Sequence, residues 1–375
     1  MKIVINTIPL FSPLAGVGHY IYNLLIEFQR LRPDVTYTFY YGYFSKKLKV
    51  YREEEAKVFY RLKEWAKESP VVSPHARKLK HILARINLRK YDLYFEPNFI
   101  PLPIRSKKIV ATVHDFSFHL HPEWHPRERI EYFSGNFFKR IEKADLIITG
   151  SRYIEKEAFD LFNGKDLRIV TIHYGYDHAL FHPNKKAGEE KASPSGHYIL
   201  FVGSIEPRKN LLGLLKAYLL LPEYLKKGFQ LLITGSKGWG NQEIVERMEQ
   251  LKGRVHYLGY LTNEELAALY RGASCLVFPS FYEGFGLPPL EAMACGCPVI
   301  VSNVASLPEV CGDAGYYVDP YDVESIAEGI YQVLTDESLR QSLIQKGLER
   351  AKLFSWEKAA KEHLNVFEEV LLISP

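Results

Sequence analysis

The chain has 375 residues, 47% hydrophobic and 25% charged, a composition that supports ordinary globular domains and argues against disorder. Its formal net charge of +4 is too small to mark a nucleic-acid binder, so any positive patch must be local. No stretch approaches the ~18 uncharged apolar residues of a spanning helix, which leaves a cytosolic protein or one resting on a membrane surface.

The N-terminal "MKIVINTIPL" is broken by Asn6 and has no A-x-A-like cleavage site, so it reads as a first buried strand rather than a leader. Strand-like runs follow at Ile3–Ile8, Tyr37–Tyr41, Ile109–Val113 and Leu146–Thr149, then at Tyr198–Val202, Gln230–Thr234, Val255–Leu258, Leu276–Phe278 and Val299–Val301. They are apolar without strict alternation, as expected when helices cover both sheet faces. Helical patterns at Gly18–Arg30, Glu264–Arg271 and Val323–Thr335 lie between them, so the repetition predicts doubly wound parallel α/β sheets. The polar stretch His182–His197 reads as a linker between two such domains, 1–184 and 185–355, with a ligand cleft between them. Cys275, Cys295, Cys297 and Cys311 lack a paired metal-binding spacing and read as buried free thiols.

Six stretches carry chemistry. In "SPLAGVGHYIYNLL", Gly16 and Gly18 open a helix and could meet a phosphate, although Ile21 stands where a dinucleotide fingerprint has its third glycine; a tight turn explains them equally well. In "VATVHDFSFHLHPEWHP", His114 ends a strand and reads as a polar contact to a ligand, with a structural histidine as the alternative. The spacing to His119, His121 and His125 matches no common zinc motif, and the chain has no D-x-D, so no metal is expected. In "LFVGSIEPRKN", Gly203 ends a strand and Arg208 and Lys209 precede a helix, where two cations suit a diphosphate and its developing charge; a solvated pair is the bland alternative. In "FPSFYEGFGLPPLEAMACGCPVI", Glu283 and Glu291 flank a glycine-rich bend with Pro289 in the first turn of a helix. Amides there attract phosphate, while carboxylates repel phosphate but accept from hydroxyl pairs, so the pattern calls for a diphosphate with a polyol at each end, such as a nucleotide sugar. The cations would also offset both glutamates. Finally, Tyr40–Arg52 and the acid-free His75–Lys90 carry Lys and Arg that suit an anionic membrane surface or a plain exposed face.

Together these stretches resemble the GT-B-fold glycosyltransferases of the family 4 type: Glu283 to Glu291 matches the E-x7-E signature, supported by "VHDFSF", "VTIHYGYD", "VGSIEPRKN", "YLGYLTNEELAALY" and "FSWEKAA". The resemblance implies that Glu291 holds the donor ribose and Glu283 the hexose. It gives the phosphate and sugar to the amides of Phe285, Gly286 and Leu287, and the diphosphate to Lys209, Arg208 and Gly16. It sets His114 against the hexose, places the base near Tyr260 and Leu261, and has a last helix, within 356–375, crossing back to the N-terminal domain. Many relatives carry an arginine where this chain has Ser204, and Arg208 takes that role as in relatives with "EPRKN". It further implies retention of configuration without metal or cofactor, by a front-face route. "HDFSFHLHPEWHP" is similar to the mannosyl- and rhamnosyl-transferase branch of bacterial surface polysaccharides. That hints at GDP-mannose as donor and a glycan or lipid-linked acceptor, with UDP-hexoses open. A nucleotide-sugar epimerase of the same fold and a non-catalytic nucleotide-sugar binding protein are the competing readings.

Overall fold

The computed structural model describes residues 1–11, 16–50, 90–163, 165, 167–184, 196–239 and 242–373. Two sheets organise it. The first holds β1 (Lys2–Asn6), β2 (Thr36–Tyr40), β3 (Phe44–Ser45), β4 (Tyr91–Glu96), β5 (Ser106–Val113), β6 (Leu146–Thr149) and β7 (Arg168–Thr171), in the order 3-2-1-4-5-6-7. Its neighbours are parallel except for the short β2–β3 hairpin. The second holds β8 (His197–Val202), β9 (Phe229–Thr234), β10 (Val255–Gly259), β11 (Cys275–Phe278), β12 (Val299–Ser302) and β13 (Gly315–Val318), in the order 10-9-8-11-12-13. All its pairings are parallel. These are the two doubly wound α/β layers expected from the apolar runs, and in each the strand order reverses beside a central strand, β1 or β8. Such reversals open crevices at the carboxyl ends of strands.

The structure departs from the sequence reading at several strands. Ile8 leaves β1 for a 3-10 turn, Ile8–Phe11. The segment Tyr91–Glu96 forms a central strand that the runs did not predict, because Asp92 and Glu96 interrupt its apolar pattern. Glu96 is nevertheless fully buried: both its oxygens accept from Asn6 Nδ2 at 2.9 Å, one accepts the Asn98 amide at 3.1 Å, and Tyr94 donates its hydroxyl. Burial pushes this carboxyl up to about 8. All four cysteines are buried, with no disulfide among them. The boundary expected at 184/185 and most of His182–His197 fall at or within residues 185–195, and His75–Lys90 falls, apart from Lys90, within 51–89; both stretches lie outside the described residues. Among the described residues no helix is long and apolar enough to cross a membrane.

The last helix, Trp356–Leu372, packs against the first helix and the first sheet. Ser355 caps it by accepting from the Lys358 amide at 3.1 Å. Phe367 packs against Phe28 of the first helix, Gly16–Leu31, at 5.7 Å and against Phe95 of β4 at 5.1 Å. Inside this seam His363 Nδ1 donates to the Ala359 carbonyl at 2.7 Å, so Nε2 accepts from the Tyr20 hydroxyl at 2.8 Å. Tyr20 in turn meets Thr112 at 2.8 Å. Burial brings the His363 imidazole down to about 4, which keeps it neutral and able to accept. The packing thus ties the chain's two ends together.

Candidate active site

The site forms where loops after β8 and β11 approach the carboxyl ends of β5 and β6. β8 runs out at Val202, and the Gly203 amide donates to Thr234 at 2.9 Å. A 3-10 turn, Pro207–Lys209, then leads into the helix Leu211–Leu220. Asn210 fixes this junction: its carboxamide accepts from the Gly213 amide and donates to the carbonyls of Pro279 (3.0 Å) and Pro320 (2.7 Å). The turn holds Arg208 and Lys209 over the bend that follows β11. Lys209 Nζ lies 2.6 Å from Glu283 Oε1 and 5.0 Å from the Phe278 ring centroid. Arg208 reaches Glu283 Oε2 and the Tyr282 carbonyl, both at 3.0 Å, and Glu206 at 2.9 Å.

Glu283 is buried, which alone would raise its carboxyl, but Lys209 and Arg208 outweigh burial and hold it below the usual range. It is therefore ionised, and both oxygens are engaged. This corrects the sequence reading in one respect. The cations do not offset both glutamates; they gather on Glu283 and leave Glu291 to other partners. Glu206 was missed as a partner of Arg208, although an acid two residues before an arginine at a strand end was the available signal.

The bend itself is pinned from three sides. Ser306 Oγ donates to the carbonyls of Glu283 (2.8 Å) and Phe285 (2.9 Å), and Ser151 Oγ donates to Gly284 at 2.9 Å. Gly286 has φ 109°, a left-handed conformation that side chains avoid. The helix Leu287–Ala294 starts there with Pro288 and Pro289 in its first turn, two residues without N–H groups. Among the described residues the amides of Phe285, Gly286 and Leu287 have no protein acceptor. A helix start carrying unmet amides is chemically suited to accept an anion.

Glu291 lies on the second turn of that helix and lines a cavity of about 80 Å³ together with His19, Asn23, Asp177, Asn263 and Leu287. Its carboxylate accepts from the Tyr270 hydroxyl at 3.2 Å. Burial pushes its carboxyl up to about 8, with Asp177 adding to the rise. A folded-state value above the unfolded one means that the folded protein holds a proton which the unfolded chain releases, so stability falls as pH rises between about 4.5 and 8. Glu291→Gln is expected to flatten that fall, as thermal melts from pH 5 to 8 would show; an unchanged slope would place the proton elsewhere.

The remaining candidates are spread around the cleft. His114 ends β5, buried, with Nε2 donating to Pro97 at 2.9 Å and Nδ1 accepting from the Tyr174 hydroxyl at 2.6 Å. Burial brings it down to about 4, so it is neutral with both nitrogens in use, which favours an orienting role for its carbonyl and ring edge. Its own carbonyl lies against the bend: a Cβ on Gly284 would sit 1.9 Å from it. Asp115, missed beside it, stays below the usual carboxylate range because Arg208 and Ser117 outweigh its burial. Gly16 is the exposed first residue of the first helix, while Ser12–Ala15 lie outside the described residues. Tyr260, 55% exposed, and the half-buried Leu261 follow β10, an edge strand of the second sheet, and Leu261 comes two residues before the cavity-lining Asn263. Among the described residues no cluster of three His, Cys, Asp or Glu side chains could hold a metal ion.

Comparison with known proteins adds to this geometry. The profile of the family described as "Glycosyl transferases group 1" matches residues 184–350. An O-antigen chain mannosyltransferase B of Escherichia coli is 37% identical over 98% of this chain and 100% of its own. A serotype-specific mannosyltransferase of the same species is 32% identical over 64% of this chain, a match that spans 30% of that longer protein. The solved sucrose-phosphate synthase of Thermosynechococcus elongatus superposes with a TM-score of 0.69 over 100% of both chains at 21% identity, a likeness of fold.

Proposed function

The chain belongs to the group 1 glycosyl transferases and is a GT-B glycosyltransferase, and on that premise we propose that it moves mannose from GDP-mannose to a growing surface glycan, with retention and without metal. The observation that carries the reading is the junction of Lys209, Arg208 and Glu283 beside the open amides of Phe285 to Leu287. A diphosphate placed there meets the N–H donors of Arg208 and Lys209 and the open amides of a helix start. The full-length likeness to an O-antigen chain mannosyltransferase supports mannose and a glycan acceptor.

In the proposed reaction the bond from the sugar's anomeric carbon to the diphosphate oxygen breaks, and a bond to the acceptor oxygen forms on the same face. The acceptor's proton passes to the departing oxygen. Arg208 and Lys209 take up the charge that develops there. Glu283, bound between them, sets their positions and presents its carboxylate to the hexose hydroxyls. Glu291 takes the ribose, and Tyr260 and Leu261 face the base. We assign donor binding to residues 185–355, acceptor binding to 1–184, and the return helix to 356–375.

A thermal-shift screen tests the donor. GDP and GDP-mannose are expected to raise the melting temperature well above the rise given by UDP or UDP-glucose at equal concentration, before and after EDTA. A larger shift with a uridine nucleotide, or a shift that EDTA abolishes, would overturn the donor or the metal-independence reading respectively. We further propose that the exposed face around Tyr43, Lys46, Lys47 and Lys49 rests on an anionic membrane where lipid-linked acceptors reside; Lys49 Nζ stands 5.2 Å over the Tyr43 ring. Flotation with phosphatidylglycerol vesicles should recover the protein at low salt and lose it at high salt, and recovery equal to that with neutral vesicles would remove this claim.

A further inference from the structure

Beside the Arg208–Glu283 junction lies a row of aromatic rings that the donor reading does not use. His121 and Trp124 stack with centroids 3.9 Å apart and planes 15° from parallel. Trp124 is followed by Phe281 at 6.1 Å and 19°, and Phe281 by Tyr321 at 4.9 Å and 26°. Four rings from three loops therefore keep nearly one orientation while crossing from the first sheet's loops to the second's. Tyr321 is 69% exposed, whereas His121, Trp124 and Phe281 are half-buried.

The rings are also held in place. The Trp239 indole N–H donates to the Trp124 carbonyl at 2.6 Å, the Phe281 amide donates to the Arg208 carbonyl at 2.9 Å, and the Tyr321 amide donates to Asp319 at 2.9 Å. An exposed aromatic with a fixed backbone marks a recognition surface more often than a stray one. The row is continuous with the transfer site, because Phe281 stands two residues before Glu283. Carboxylates flank both ends: Glu123 precedes Trp124, and Asp319 and Asp322 bracket Tyr321. That setting repels phosphate and nucleic acid and suits hydroxyl groups, which donate to carboxylates.

We propose that His121, Trp124, Phe281 and Tyr321 form a stacking platform for the neutral pyranose rings of a glycan acceptor, with Phe281 nearest the transfer point and Tyr321 farthest from it. The proposal rests on the glycosyl-transfer reading above. The apolar C–H face of one sugar lies on the outer face of Tyr321, the sugars nearer Glu283 run along the edges of Phe281 and Trp124, whose faces the row itself covers, and their hydroxyls reach the flanking carboxylates. Affinity then grows with acceptor length until the platform is filled.

The test pairs a binding readout with a kinetic one. Mannose oligosaccharides of one to four residues on a common aglycone are titrated into the GDP-bound protein, followed by ligand-detected NMR, and then used as acceptors with GDP-mannose. For the unaltered protein, affinity is expected to rise with length. Tyr321→Ala should raise Kd and KM about fivefold to tenfold for the tetramer, leave the monosaccharide unchanged, and leave GDP binding unchanged. Equal affinity of wild type and Tyr321→Ala at every length would overturn the platform, as would an equal loss at all lengths or a loss of GDP binding. Because the NMR arm needs no turnover, a wrong donor assignment shows as absent transfer with length-dependent binding intact. Absent binding shows the platform itself to be wrong.

Discussion

Lys209→Ala is expected to lower kcat by 10²-fold or more, about 2.7 kcal/mol of transition-state stabilisation, with a smaller change in donor affinity. The ammonium reaches Glu283 at 2.6 Å in the ligand-free protein, and charge on a departing diphosphate strengthens its attraction to that same group. Removing it deletes an interaction that grows along the reaction, which is why kcat rather than KM carries the loss. The variant still folds, since Arg208 keeps one contact to Glu283 at 3.0 Å. Its acid stability shifts, however. Glu283 has a lowered folded-state value, so its contribution is present above the ordinary carboxylate range and disappears as pH falls through the folded value. With one cation gone, the folded value moves up, so Glu283 contributes less stability and its acid loss is complete at higher pH. Steady-state kinetics and melts between pH 3 and 7 check both halves, and near-normal turnover in the purified variant would refute the assignment of Lys209.

Gly284→Ala should be as damaging for a mechanical reason. The added Cβ would lie 1.9 Å from the His114 carbonyl oxygen and 3.3 Å from Asp115 Cβ, and the former is backbone that cannot rotate away. The bend must then part from the end of β5. A displacement of about 1 Å costs on the order of 10² in rate where reacting groups must be aligned. Each sheet keeps its own core, so a cooperative melt is expected to survive while kcat/KM falls 10²-fold or more. Wild-type rates would mean that this seam is open when the enzyme works.

How far the sequence led differs between scaffold and site. Nine strands were visible because both faces of these sheets are covered, which writes them as unbroken apolar runs. β4 was hidden because its buried carboxylate, Glu96, looks like a surface residue until Asn6, Tyr94 and Asn98 are brought to it. β7 and β13 are four-residue edge strands with little pattern to find. In the site, the spacing of Glu283 and Glu291 marked out the bend before the helix Leu287–Ala294, because an acidic residue on each side of a glycine-rich helix start is a local feature. Their different fates were not local. Glu283 is claimed by cations 74 and 75 residues away, and Glu291 by the hydroxyl of Tyr270. Cations hold one acid below the usual carboxylate range while burial raises the other, and only tertiary approach decides which.

The return of the helix Trp356–Leu372 to the first sheet sets an order on synthesis. Tyr20 and His363, 343 residues apart, share a hydrogen bond at the centre of that seam. At about 5–20 residues per second a ribosome needs roughly 17–69 s to bring the second partner out after the first. Through that interval Phe28 and Phe95 lack their lid while the second sheet, contiguous in the chain, can already close. The nascent enzyme is therefore half-finished in a fixed sense: the half made first is the half completed last.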